Sequence, residues 1–143
     1  PLVDKDIAYQ TVLVGHAPKL SARTAGLIGY ELALNIDDNG LYLRLTRNDS
    51  GGLFSKEWVS LDAIYTLLES LEEGKPFKSS AFKTVMKGGS SNNVSFLSAV
   101  LRSEEIALII PSDKSKFLHA HNPLLINRRE HLLTLKPLPS PAD

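Results

Sequence analysis

The sequence predicts an α+β fold: two antiparallel sheet-plus-helix halves, each with four strands followed by a helix, over residues 7–74 and 77–135. Alternating apolar and polar residues flank an Asp-Asp-Asn-Gly turn, the pattern of a half-buried hairpin. A charged strand carrying Trp58, the only tryptophan, then runs directly into an amphipathic helix. After Gly74 and Pro76 the element order repeats in looser form, which makes residues 1–136 one domain of two halves. Residues 137–143, Pro-rich and without a means of packing, are expected to form a disordered tail.

IAYQTVLVG, Ile7 to Gly15, is rich in β-branched and aromatic residues and reads as the first strand. Pro18 and Gly26 punctuate the loop after it, which carries Lys19 and Arg23. In the second strand Tyr30, Leu32, Leu34 and Ile36 alternate with Glu31, Ala33 and Asn35. Asp37 to Gly40 closes the hairpin, because Asn-Gly accepts the positive φ that such turns need. The return strand puts Leu41, Leu43 and Leu45 on one face and Tyr42, Arg44 and Thr46 on the other. A turn at Asn48 to Gly52 leads to LFSKEWVSL, a strand on which Phe54, Lys56 and Trp58 share one parity. Ser60 or Asp62 can cap the following helix, whose apolar stripe is Leu61, Ile64, Leu67, Leu68 and Leu71. That stripe must cover the sheet face carrying Leu32, Leu34, Leu43 and Leu45.

In the second half, Phe77 to Gly88 reads as a strand with Lys83 and Lys87 on one parity, and Gly88 to Asn93 as a flexible turn. Val94 to Glu105 and Ile106 to Ile110 read as two more strands, the latter central because it is apolar on both faces. Ser112 is a good cap for a helix beginning at Asp113, which Pro123 kinks or interrupts. PLLINRREHLLTL either continues that helix or forms a closing strand.

Sixteen basic residues balance sixteen acidic ones, so no overall field draws the molecule to nucleic acid or an anionic membrane, although a local basic patch remains compatible. Without cysteine there are no disulfides, thiolate nucleophiles or cysteine-based zinc sites. No apolar run approaches the ~18 residues of a spanning helix. The start lacks a basic-then-apolar signal pattern, so a cytoplasmic location is expected. His119 and His121 lie two positions apart, on different sides of a helix, whereas a helical zinc pair needs i, i+4; no metal or other cofactor is expected. No nucleophile elbow or phosphate-cradling glycine loop is present, and the chain reads as non-enzymatic.

What remains is the sheet face away from the helices, with Tyr42, Arg44, Phe54, Lys56 and Trp58. Between Lys75 and Arg102 stand five basic residues, Lys75, Lys78, Lys83, Lys87 and Arg102, and no acid. Aromatic rings interleaved with cations on an open sheet suit single-stranded nucleic acid, the rings stacking on bases and the cations meeting the backbone. Half-exposed strands also carry Tyr, Lys and Arg for purely structural reasons, and Trp58 suits the core at the strand–helix corner equally well.

Two passages, Trp58 to Leu71 and Glu104 to His121, each look like a strand entering a helix. With the order of four strands and a helix, twice, they resemble the Whirly proteins; the single unit resembles the positive-cofactor-four coactivator family. Both are single-stranded DNA binders with RNA-binding relatives in mitochondria. Of the Lys-Gly-Lys-Ala-Ala-Leu strand motif of Whirly proteins, the matching region VGHAPKLSAR offers Lys19 as the counterpart of a motif lysine. The resemblance implies a single-stranded nucleic acid, most simply DNA, as partner and a homo-oligomer, dimer or tetramer, with His119, Leu124 and Leu125 near a subunit contact. Tyr42, Arg44, Phe54, Lys56 and Trp58 would then hold one half of the strand. Lys83, Lys87 and Arg102 would extend the path, with Lys19 and Arg23 at its edge. The alternative is a protein-interaction module of a larger bacterial or phage assembly, which the zero net charge favours.

Overall fold

The computed structural model describes residues 8–21, 26–49 and 51–139. Strands β1 (Tyr9–Pro18), β2 (Leu27–Asn35), β3 (Leu41–Asn48) and β4 (Val59–Ser60) form an antiparallel sheet in chain order, and helix α1 (Leu61–Ser70) leaves β4 without an intervening residue. A 3-10 helix (Ser79–Thr84) and helix α2 (Ser91–Arg102) follow. A two-stranded hairpin of β5 (Ile109–Pro111) and β6 (His119–His121) then leads to helix α3 (Leu125–Leu133). The class is α+β.

The first half obeys its sequence pattern. Leu32 pairs with Leu43 and Leu34 with Leu41 across β2 and β3. The connecting turn is held by Asn35, whose N–H donates to the Gly40 carbonyl at 2.8 Å and whose side-chain oxygen accepts from the Asp37 and Asp38 N–H groups. Asn39 takes the left-handed conformation there, with φ of 60°. The β1 register slips between Thr11 and Leu13, a bulge that leaves Val12 buried in the core. Gly15 pairs with Tyr30, and a Cβ at Gly15 would lie 2.5 Å from the Tyr30 hydroxyl oxygen, so only glycine lets that buried ring lie there. Of the two candidate caps Ser60 serves α1: its Oγ accepts the Ala63 N–H at 3.2 Å. Leu61, Ile64 and Leu68 are buried with Leu32, Leu43 and Leu45, as the stripe requires.

The strand expected over Leu53 to Leu61 is paired only at Val59 and Ser60. Upstream, side chains replace the ladder: the Ser55 N–H donates to Asn93 Oδ1 at 2.8 Å and the Glu57 N–H to Ser55 Oγ at 3.2 Å. The shared parity of Phe54, Lys56 and Trp58 therefore fails. Phe54 meets Phe96 of α2 edge-on at 6.4 Å, while Trp58 turns to Tyr9 on the other side of the sheet.

The second half is not a copy of the first. Phe77 to Gly88 contains a 3-10 helix instead of a strand. Lys83 and Lys87 are exposed and Phe82 and Met86 buried, and residues four apart satisfy a two-residue and a helical period alike. The strand expected from Val94 is α2, in which Val94 and all residues from Phe96 to Leu101 are buried; Ser91, Ser95, Ser98 and Arg102 recur at helical spacing, a period that the strand reading passes over. Ile106 to Ile110 contributes to a two-stranded hairpin, not to the centre of a sheet. Ser112 and Ser115 do not start a helix. Their hydroxyls accept the N–H groups two residues on, Lys114 and Phe117, each at 3.1 Å, and these turns lead into β6. Pro123 precedes α3 and does not kink it, and α3 resolves the choice between helix and closing strand.

The helices lie on one side of the four-stranded sheet, α2 against β1 and β2 and α1 against β3 and β4. A single core cluster joins Leu32, Leu43 and Ile64 of the first half to Phe82, Leu97, Val100 and Ile106 of the second. The tail, described as far as Pro139, is anchored: the Leu138 N–H donates to the Thr11 carbonyl at 2.7 Å. Among the described residues no helix is long and apolar enough to cross a membrane.

Candidate nucleic-acid interface

The open face of the sheet carries Tyr9, Glu31, Ala33, Tyr42, Arg44 and Trp58, because their neighbours along each strand, Leu32, Leu41, Leu43, Leu45 and Val59 among them, point to the core. These side chains are already engaged with one another. Trp58 stacks on Tyr9 at 4.1 Å with planes 10° apart, and Tyr9 meets Tyr42 edge-on at 5.4 Å. The Arg44 guanidinium lies 4.3 Å from the Trp58 ring centre. Ala33, paired with both Thr11 and Tyr42, is fully buried on this side, a small residue over which large rings can close. Arg44 Nη2 is 2.8 Å from Glu31 Oε1, and the other Glu31 oxygen accepts from the Thr11 hydroxyl. The Tyr42 hydroxyl donates to the Asp38 carboxylate at 2.5 Å, which pushes Tyr42 up to about 12 and holds Asp38 below the usual carboxylate range. Of the predicted residues Tyr42, Arg44 and Trp58 are here, but half-buried against one another and Tyr9.

The remaining predicted cations do not converge on that face. Lys83 is exposed on the 3-10 helix. Lys87 is exposed beside Glu57, whose carboxylate accepts the Lys87 and Gly88 N–H groups at 2.5 and 2.9 Å. Lys56 is exposed with its Nζ 6.0 Å from the Phe54 ring centre. Arg23 lies outside the described residues.

Arg102 turns inward. Its Nε donates to His119 Nδ1 at 3.1 Å and its Nη2 to the Leu118 carbonyl at 3.0 Å. With Nδ1 accepting, His119 Nε2 carries the hydrogen and donates to Ser79 Oγ at 2.8 Å. Burial and the adjacent Arg102 push His119 down to about 4. Ser79, His119 and Arg102 thus run opposite to a nucleophile–base–acid array: this imidazole gives a hydrogen to the hydroxyl and cannot take one from it. His119 is fully buried, not solvated, and on β6 it shares a side with His121, both rings packing within 5.7 Å of Phe77. Among the described residues no three His, Asp or Glu side chains gather as a metal-binding group.

The convergence lies elsewhere, in a groove of about 760 Å³ at the start of α2. Lys19 and Leu20 form one wall, and Lys78 and Ser79 another. Asn92, Ser95 and Phe96 of α2 form the floor, with Phe117 and Leu118 opposite. Among the described residues no carboxylate lines it. Lys19 Nζ is 5.5 Å from the Phe96 ring centre and Lys116 Nζ is 5.2 Å from that of Phe117, whose side chain is 52% exposed. The N-terminus of α2, capped by Ser90 through the Asn92 N–H, adds its partial positive charge. Of the predicted site residues among the described ones, only Lys19 lines this groove. Lys78 falls in the acid-free stretch that the sequence displays; Phe96 and Phe117 carried no local signal.

No family model matches the chain, and neither does any curated protein or solved structure.

Proposed function

We propose that the protein binds single-stranded nucleic acid without catalysing a reaction, acting in the cytoplasm as a homo-oligomer, and that the strand lies in the groove at the start of α2. One observation carries this reading: two lysines, an exposed phenylalanine and a helix N-terminus converge where, among the described residues, no carboxylate lines the surface. Phe117 offers a face for an unpaired base, Lys19 and Lys78 meet phosphates, and Asn92 and the serines can bond sugar or base edges. The unit of four strands and a helix, on which the likeness to the coactivator family rests, supports the same partner class.

The test is titration of a fluorescent oligothymidylate at two salt concentrations. Two phosphate contacts give a slope of log affinity on log salt of about −1.4, and Lys19→Gln or Lys78→Gln each removes about 0.7 of it. Phe117→Ala weakens binding by about 1–3 kcal/mol. Absence of binding at low salt, or lysine variants with an unchanged slope, would sink the proposal. A protein-interaction role is the second reading, favoured by Leu124, Ile126 and Leu133 at the surface around α3.

A further inference from the structure

A second cavity, of about 590 Å³, opens between α1 and the segment leading into α3. Its apolar wall includes Leu68, Leu71, Leu125 and Ile126. Two polar side chains lining it are unpartnered among the described residues: the Tyr65 hydroxyl and Nδ1 of His121, both atoms buried. Tyr65 as a whole is 5% exposed. His121 Nε2 lies 2.7 Å from the Leu68 carbonyl, which can only accept, so in the neutral ring Nε2 carries the hydrogen and Nδ1 is left as an acceptor. A buried acceptor without a donor is costly, and so is a buried hydroxyl. Both costs fall on one cavity, and a ligand that donates hydrogen bonds relieves them together.

Charge narrows the ligand class. Asp62, Glu69, Glu72 and Glu73 lie on or beside this cavity, against only Lys75 and Arg129. Lys75 is taken by Glu72 at 3.0 Å, and Arg129 is shared between Asp62 at 3.8 Å and Glu69 at 3.7 Å. Carboxylates are therefore in excess. The Arg129 guanidinium sits 4.4 Å from the Tyr65 ring centre, so this wall already accommodates a cation. Burial also pushes the Tyr65 hydroxyl up to about 12, which keeps it an uncharged partner at neutral pH.

We propose that the cavity between α1 and α3 binds a small organic amine in its protonated form, with the ammonium at Tyr65 and His121 and a short apolar body against Leu68, Leu71 and Leu125. The ammonium donates to His121 Nδ1 and to the phenol oxygen, and the carboxylates at the rim favour its charge over that of any anion.

The experiment compares n-hexylammonium, 1-hexanol and hexanoate by calorimetry and by amide chemical shifts of the intact chain. Hexylammonium is expected to bind and to move resonances of Tyr65, Leu68 and His121, with hexanol at least tenfold weaker and hexanoate silent. Tyr65→Phe keeps the ring and removes the unpartnered hydroxyl. It should raise the melting temperature of the free protein while weakening hexylammonium about tenfold. Hexanol binding as tightly as hexylammonium would overturn the ammonium class. No binding of either, or a Tyr65→Phe protein that binds hexylammonium unchanged, would overturn the site. A lower melting temperature for Tyr65→Phe would show that the hydroxyl is already satisfied and would overturn it too.

Discussion

At His119 the ring is fully buried, accepts from Arg102 and donates to Ser79, an arrangement that requires the neutral form. Its folded value of about 4 lies below the ordinary 6.5. The unfolded chain therefore binds the proton first as pH falls. The stability contributed by the neutral ring is complete above pH 6.5 and is lost progressively toward pH 4, up to about 3 kcal/mol. Urea denaturation across that window should show the native protein losing this much more than His119→Gln; parallel profiles would refute the assignment. The residue types were legible, but the role was not. Spacing of two means opposite sides on a helix and one side on a strand, and only β6 decides between them.

Among the elements, the sheet owes part of its stability to its outer face. Trp58, Tyr9 and Arg44 come from three separate segments, and their stack spans the sheet over Ala33. Trp58→Ala removes both the stack on Tyr9 and the contact with the Arg44 guanidinium, so a loss of about 2–4 kcal/mol is expected in denaturant titration. Oligonucleotide affinity should be unaffected, since the proposed path lies at α2; a stable variant that no longer binds would return the site to the open face. The β2–β3 hairpin and α1 were legible because each combines periodicity with its own punctuation, Asn39-Gly40 for the turn and Ser60 for the cap. The element α2 carried both signals, Ser90 as cap and Ser91, Ser95, Ser98 and Arg102 at helical spacing, but its run of apolar residues from Phe96 to Leu101, broken only by Ser98, also suits a buried strand.

For the molecule as a whole, the two halves do not have two cores. Leu97, Val100 and Leu101 of α2 are buried in the same cluster as Leu32, Leu43 and Leu45 of the sheet. A fragment ending at Lys75 would expose the apolar side of β1 and β2 that α2 covers. Circular dichroism of residues 1–75 is therefore expected to show an unfolded chain, while the intact protein melts in one transition. A folded fragment would restore the two-unit reading. Zero net charge likewise describes the total and hides its distribution. An acid-free groove lies at α2 and a carboxylate-rich cavity at α1 and α3, and the two cancel in the sum.

The α+β class, the hairpin, and the helix that follows β4 directly were all readable from residue order, because these depend on side-chain period and turn chemistry within a few residues. Tertiary structure alone decided which surface is committed to packing and which stays open. Whether Trp58 faces a partner strand or a ligand, and whether Lys19 meets Lys78, depends on contacts between residues far apart in the chain. No local pattern carries that information, since burial is a property of the assembled fold.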